Sequence, residues 1–388
     1  MKRFLKHIPV KLWAILCIAV LFTFFSNDFG LVDIQKTALV LAAGIDRTED
    51  EFALTAQIAV PKGSDRTTGG TSSVEIEGRG ATVSDCLADL YAKTGWVPKL
   101  VFCDLLVLGE TVVQRDVFDC LDYFLRNEYI PDSCLLAACE GSAGELLSSA
   151  SAIDDTSALA LEKLFSDAAQ KSGWVMTTTL REFAIGYFGE SRSGYMPYVR
   201  AQAQEGSQEQ GGQSGGQGGA QPSQQEQKIY SAQETAVFSG GRQVALLTPE
   251  ETFAFSLLEG NIYAGTFTAA GKTYVVLRDS GSVDVSTADA PAISLGVTCK
   301  VQLYGESETV PPEELAKGAL SPEEERFLSD LLASHVRSLW DTCAGAECDL
   351  LFFRRSLWRA SPAAYGKWKD LPLASVTVRI SARAEGLK

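Results

Sequence analysis

The sequence predicts an α+β protein, with mixed α/β domains whose β-sheets are covered by helices, following one N-terminal apolar helix. Three observations support this class. Residues 12–25 form an apolar run. Further along, apolar residues alternate with polar ones in several segments, which is typical of half-buried strands. Between those segments, apolar residues recur every three or four positions, which is typical of helices.

Length and composition indicate a folded, acidic protein. The chain has 388 residues, enough for two or three compact units, and 46% of them are hydrophobic. The formal net charge is −15, although the first 27 residues contain four basic side chains and no acid, so the rest is more acidic still. An acidic surface repels phosphate backbones, and we therefore expect no nucleic-acid partner.

Residues 1–30 are predicted to be a membrane anchor or signal segment. A basic tip precedes the apolar run, which as a helix would span roughly 21 Å, and flanking lysines can extend that reach. Residues 22–27 lack the small residues that signal peptidase requires, which favours an uncleaved anchor. The basic tip then stays in the cytoplasm, and the body lies on the extracytoplasmic face.

Cys17 is the candidate lipidation residue, because bacterial lipoproteins carry a lipid on a cysteine that follows an apolar stretch. Two features argue against it. The preceding residue is Leu16, where a small residue is expected, and apolar sequence continues beyond the cysteine. The sequence leaves open whether the anchor is an uncleaved helix or a lipid on Cys17.

Residues 31–200 are predicted to form a mixed α/β region, which could contain two subdomains. Strands and helices alternate along it, which is typical of such a fold. The predicted elements are strands over 38–45 and 52–60, a Gly-rich loop over 61–73, a helix over 83–91, a buried strand over 100–108, a helix over 113–124 capped by Thr111, and a strand over 134–139.

Residues 201–228 are rich in Gln, Gly and Ser and are predicted to be a flexible linker or insertion. Residues 212–216 match the hydrolase motif G-x-S-x-G. That motif needs a strand before the serine and a helix after it, and a Gly/Gln tract supplies neither. We interpret the match as chance.

Residues 229–388 are predicted to form a C-terminal α+β domain. A hairpin is expected over 234–247 around Gly240-Gly241. Thr248 and Ser321 each precede a proline and a run of acids, which predicts two helix starts. The predicted strands lie at 263–267, 273–277, 283–285, 293–304 and 376–380.

The sequence contains no recognisable catalytic, cofactor or metal motif, and we predict that the protein is not an enzyme. Of the two histidines, His335 lies on a predicted amphipathic helix, where packing is the usual role. The nine cysteines include no C-x-x-C pair. Cys343 and Cys348 could close a local disulfide or remain buried thiols, and the pairing is left open.

The turn Gly44-Ile45-Asp46 is followed by the strand Leu54-Thr55-Ala56-Gln57-Ile58 and by Pro61. These residues resemble the Ger(x)C family, the C subunits of bacterial spore germinant receptors. The other segments follow in order over both halves of the chain: 99–110, 124–132, 235–238, 246–252, Glu347-Cys348-Asp349, the Trp368 region and the closing strand to Gly386.

The resemblance implies an exported, non-enzymatic subunit at the spore inner membrane. It implies two integral-membrane receptor subunits as partners, one of them transporter-like, and a role in nutrient-triggered germination. Family members are typically lipoproteins, whereas this chain lacks a convincing lipidation motif, and its Gln/Gly tract looks like an insertion. The alternative is an exported solute-binding or cell-envelope-binding protein.

Overall fold

The computed structural model describes residues 13, 15–20, 37–60, 72–127, 130–149, 151–154, 156–203, 227–287, 290–304 and 320–386. These residues form two β-sheets with helices packed against them, which confirms the predicted α+β class.

The larger sheet has ten strands in the order β10-β9-β8-β6-β5-β1-β2-β3, with β4 paired to β1 and β7 paired to β6. Strands β8, β6, β5 and β1 are parallel, and the outer strands are antiparallel. The strands are β1 Thr37–Arg47, β2 Phe52–Val60, β3 Ser72–Gly80, β4 Val97–Lys99, β5 Leu105–Leu108, β6 Leu135–Cys139, β7 Thr178–Thr179, β8 Ser193–Ala203, β9 Lys228–Ser239 and β10 Arg242–Leu247.

Helices cover both faces of this sheet. On one face, α1, α3 and α7 pack against the strands through a core that includes Leu90, Phe124 and Phe183. On the other face, α4 and α5 bury Leu147 and Leu161. The helices are α1 Val83–Thr94, α2 Glu110–Val113, α3 Phe118–Arg126, α4 Ala143–Ser148, α5 Ser157–Leu164, α6 Asp167–Lys171 and α7 Leu180–Phe188.

The second sheet has four strands in the order β11-β12-β13-β14, of which only the β13–β14 pair is parallel. Its core includes Phe253 of α8 and Leu332 and Trp340 of α9. The elements are α8 Pro249–Glu259, β11 Gly265–Ala269, β12 Lys272–Ser286, β13 Ala292–Leu303, α9 Pro322–Gly345, α10 Phe353–Ala360, α11 Pro362–Trp368 and β14 Thr377–Gly386.

Both helix starts predicted in the second half are confirmed. The hydroxyls of Thr248 and Ser321 accept from the backbone N–H groups of Glu251 and Glu324, and each glutamate accepts from the backbone of its capping residue. These capping boxes satisfy N–H groups that a helix leaves without partners. The hairpin around Gly240-Gly241 is also confirmed, as β9 and β10.

The Gln/Gly tract connects two adjacent strands. Ala203 at the end of β8 is paired with Lys228 at the start of β9, so the two strands on either side of residues 204–226 form an antiparallel hairpin. Residues 228–247 thus complete the larger sheet, although they follow the tract. How the chain divides into independently folding units stays a prediction.

Four local predictions are wrong. The single helix expected over 113–124 is two helices, α2 and α3, separated by residues 114–117. The segment expected to be one buried strand over 100–108 forms a 3₁₀ turn at Leu100–Phe102, and β5 begins only at Leu105. Thr111 does not cap a helix; Gly109 is the N-cap of α2, and the Thr111 hydroxyl accepts from the Arg47 N–H instead. The two strands expected over 273–285 are one continuous strand, β12.

At the N-terminus, residues 15–20 are helical. No helix within the described ranges is both long and apolar enough to cross a membrane. Most of residues 1–36, and with them the predicted anchor, lie outside those ranges.

Candidate interaction site

Asp46, in the segment that most resembles the Ger(x)C family, holds strand β1 against helix α4. Its Oδ1 accepts from the Ala143 N–H at 2.9 Å. Its Oδ2 accepts from the Gly144 N–H at 2.9 Å and from the Ser142 hydroxyl at 2.8 Å. A helix N-terminus carries unpaired N–H groups and partial positive charge, so a carboxylate here stabilises the helix.

The glycines around Asp46 allow this close approach. A Cβ on Gly109 would lie 1.9 Å from Oδ1 of Asp46, and a Cβ on Gly44 would lie 3.0 Å from the backbone of Ala143. The Gly44-Ile45-Asp46 segment lies within strand β1 and not in the expected turn, and its role is structural: the glycine gives space and the aspartate caps the helix.

Gln57, in the neighbouring strand, has a similar structural role. Its side chain is buried, and its Nε2 donates to Glu75 Oε1 at 2.6 Å and to the Leu147 carbonyl at 3.1 Å. Its Oε1 accepts from the Ala158 N–H at 2.8 Å. A buried amide stabilises a fold only when it is hydrogen-bonded, and this one connects β2 to β3, α4 and α5.

A groove of about 450 Å³ opens beside these residues. It is lined mainly by carboxylates, hydroxyls and one arginine, and its polar lining comprises Asp46, Thr48, Glu51, Thr55, Glu75, Glu77, Arg79, Ser142, Glu145 and Ser148. The carboxylates of Asp46 and Glu75 already accept hydrogen bonds from the protein. We interpret the groove as an acidic, solvated surface.

The family-like segment Glu347-Cys348-Asp349 lies where the two sheets meet. The Cys348 thiol donates to the Phe238 carbonyl of β9 at 3.3 Å. Asp349 accepts from the N–H groups at the start of α10, including that of Phe353 at 2.6 Å. Burial raises the pKa of the Asp349 carboxyl to about 6, even though hydrogen bonds from the backbone N–H groups of Phe353 and Arg354 favour its ionised form. This segment also stabilises the fold.

The thiols show no arrangement suited to catalysis. All nine cysteines are free; Cys17 is exposed and the others are buried. Burial raises the pKa of the Cys120 thiol and that of the Cys348 thiol to about 12 each. The nucleophilic thiolate form is therefore disfavoured at both residues. Cys343 and Cys348 are therefore present as buried thiols. Whether Cys17 is lipidated stays a prediction.

His335 and Asp154 are two further ionisable side chains whose surroundings the structure shows. His335 is half-buried on α9, burial lowers its pKa, and its Nδ1 has no hydrogen-bond partner among the described residues. Asp154 forms an ion pair with Lys163 at 2.6 Å, and the serine of the G-x-S-x-G match lies outside the described ranges. Within those ranges, no group of three or more His, Cys, Asp or Glu side chains could hold a metal ion.

An exposed apolar surface lies at the end of the larger sheet where β1 begins. Strand β4 pairs in parallel with the first residues of β1, so that Leu39 is opposite Lys99. The exposed fractions are 41% for Leu39, 44% for Trp96, 45% for Val101 and 53% for Phe102. We call these four residues the apolar end.

The sequence did not predict the apolar end, because an unbroken apolar segment usually indicates a buried strand. The 3₁₀ turn instead buries Leu100 and Cys103 and leaves Val101 and Phe102 at the surface. The polar Asp104 that interrupts the apolar segment was the available signal that the strand does not start at residue 100.

The fold is that of a two-sheet α+β protein, and comparisons with known proteins identify its family. Residues 31–201 match the family model described as "Spore germination protein N-terminal domain". Residues 233–385 match the model described as "Spore germination B3/ GerAC like, C-terminal". The two matches occur in the expected order and cover most of the chain. The chain belongs to the Ger(x)C family of spore germination proteins.

No curated protein matches the sequence. Among solved structures, the chain is similar to one titled "Crystal Structure of the GerBC protein", with a TM-score of 0.48 and 15% sequence identity. That similarity covers 89% of this chain and 97% of the other.

Proposed function

We propose that the protein is a membrane-tethered, non-enzymatic subunit of a spore germinant receptor. In this proposal it contributes to nutrient-triggered germination through protein–protein contacts with two integral-membrane subunits, one of them transporter-like. The observation that carries the proposal is the ordered pair of family matches over residues 31–201 and 233–385.

Two features of the sequence support the tether. A basic tip followed by the apolar run at residues 12–25 suits an N-terminal anchor, and the positive-inside rule puts the body on the extracytoplasmic face. Family membership supports the spore inner membrane as the location. A lipid on Cys17 would supply the same attachment by a different chemistry.

The structure also supports an interaction role. Asp46, Gln57 and Asp349 come from the family-like segments, and each uses its polar atoms to hold the fold together. Their roles are therefore explained without a substrate. Binding to partners requires only a stable scaffold with suitable surfaces.

Deletion of the gene tests the proposal. We expect the deletion strain to form spores normally and to lose its germination response to at least one nutrient, measured as the fall in optical density of a spore suspension. The wild-type gene supplied in trans should restore the response. Normal germination with every nutrient tested, in a strain without a related gene, would contradict the proposal.

A matched variant strengthens this test. Residues 204–226 can be replaced by a short turn, because Ala203 and Lys228 are already paired as strand neighbours. This shortened chain should restore germination as well as the wild type does. Affinity purification from solubilised spore membranes should recover two membrane subunits with either form. Recovery of neither would favour the alternative, an exported solute-binding or cell-envelope-binding protein.

A further inference from the structure

We propose that the apolar end is a lipid-contacting surface, with Trp96 and Phe102 in the interfacial layer of the membrane to which the chain is tethered. The inference rests on the tether in the proposed function. Beyond the proposed function, it specifies which surface of the folded body faces the membrane and which side chains contact lipid.

The position of the apolar end supports this orientation. Only residues 26–36 separate the apolar run from Thr37, where β1 begins. A chain of that length, fully extended, spans at most about 40 Å, so the start of β1 stays within about 40 Å of the membrane. Strand β4 pairs with residues 37–39, which puts Trp96 and Phe102 beside this point of entry.

The exposure of Val101 and Phe102 is set by ordered backbone. The Cys103 N–H donates to the Leu100 carbonyl at 2.9 Å and closes the 3₁₀ turn. The next residue, Asp104, donates its N–H to the Leu41 carbonyl of β1 at 3.1 Å. Since Leu100 and Cys103 are buried beneath the turn, Val101 and Phe102 are held outward by the sheet itself.

The chemistry of the surface suits lipid. Tryptophan is enriched at membrane–water interfaces, and an apolar aromatic ring such as that of Phe102 gains by leaving water for the acyl boundary. The segment 96–104 carries one base, Lys99, and one acid, Asp104, so it is neutral in a protein of formal net charge −15. Repulsion from anionic headgroups is therefore smaller at this neutral segment than an average acidic part of the surface would experience.

Photocrosslinking of the full chain tests the inference. p-Benzoylphenylalanine would be placed at position 102, and the purified protein incorporated into vesicles of phosphatidylethanolamine and phosphatidylglycerol. The matched control carries the probe at position 50, an exposed residue in the turn at the opposite end of β1, roughly 35 Å away. We expect at least fivefold more lipid adduct at position 102, measured by mass spectrometry. Equal yields, or adducts only within the protein, would overturn the inference.

A third probe position distinguishes a wrong orientation of the body from a wrong assignment of the membrane anchor. With p-benzoylphenylalanine at position 15, in the apolar run, a lipid adduct is expected if the chain is anchored by that run. An adduct at position 15 without one at position 102 overturns the orientation and leaves the tether standing. Absence of adduct at position 15 and at position 102 overturns both.

Tryptophan fluorescence gives an independent measurement. In vesicles that contain brominated phospholipid, part of the emission should be quenched by contact between Trp96 and lipid. Trp96→Phe should then lose a measurable share of the quenching. The matched control is Trp358→Phe, since Trp358 on α10 is similarly exposed but lies outside the apolar end. Equal loss in the two variants, or no loss in Trp96→Phe, would count against the inference.

Discussion

Replacement of Asp46 by alanine should weaken the larger sheet and its helical layer. The change removes the acceptor of three hydrogen bonds from the start of α4, given by Ser142, Ala143 and Gly144. The N–H groups of Ala143 and Gly144 belong to the first turn of α4 and therefore have no carbonyl partner within the helix. Its attachment to β1 therefore depends on this carboxylate.

The expected loss of folding free energy follows from the number and kind of these hydrogen bonds. Loss of an N-cap side chain costs about 0.5–2 kcal/mol, and hydrogen bonds to a charged group contribute about 1.5–3 kcal/mol each. Asp46 is half-buried and borders the solvated groove, so water can replace part of what is lost. We expect a decrease of about 2–4 kcal/mol in the free energy of unfolding.

Urea unfolding of the full chain, followed by circular dichroism, measures this decrease from the shift in midpoint. The control is Asp50→Ala, which removes an exposed aspartate from the turn that follows the same strand and should change stability by less than about 0.5 kcal/mol. Equal midpoints for Asp46→Ala and Asp50→Ala would refute the reasoning that Asp46 caps α4.

Three further predictions concern buried groups. Burial raises the pKa of Asp279 from 3.8 to about 6, so the stability that its protonated form contributes is complete below about pH 4 and is lost as pH rises through 6. The free energy of unfolding should therefore fall by about 2–3 kcal/mol between pH 4 and pH 7, and Asp279→Asn should remove this fall. Urea unfolding at both pH values measures it. The same pH dependence in the two proteins would contradict the prediction. Gln57→Leu should lower the free energy of unfolding by about 3 kcal/mol, because it leaves the Ala158 N–H without its acceptor and removes the donor to Glu75 and the Leu147 carbonyl. An unchanged urea midpoint would disprove this. A thiol reagent should label only Cys17 in the folded protein and all nine cysteines in urea, and rapid labelling of a second thiol before unfolding would show that the burial is wrong.

The features that could be predicted from the sequence are those encoded over a few residues. The capping boxes at Thr248 and Ser321 depend on side chains three positions apart, and the hairpin at Gly240-Gly241 depends on two residues that adopt positive φ. Alternation in β2 correctly predicts the strand, but the expected half-buried character is wrong: Thr55 and Gln57 on the second face are buried as well, and Gln57 contacts α4 and α5 there. Each of these patterns has a local physical cause.

Features that depend on contacts distant in the chain could not be predicted in this way. The bond from Ser142 to Asp46 joins residues far apart in sequence, and no local pattern shows that α4 begins beside β1. The strand order has the same origin, since β5 rather than β3 lies beside β1. The apolar end was missed because the 3₁₀ turn at Leu100–Phe102 follows from pairing with β1, while local hydrophobicity favours burial.

Strand β9 gives the two sheets a common element. Ala236 and Phe238 pack in the core beneath the larger sheet, and the intervening Val237 packs in the core of the second sheet. Since neighbouring side chains on a strand point to opposite faces, a slip of one residue along β9 would put every one of these groups on the wrong side. Strand β9 is therefore shared by the two cores, so a change in its register would disturb the packing of both at once.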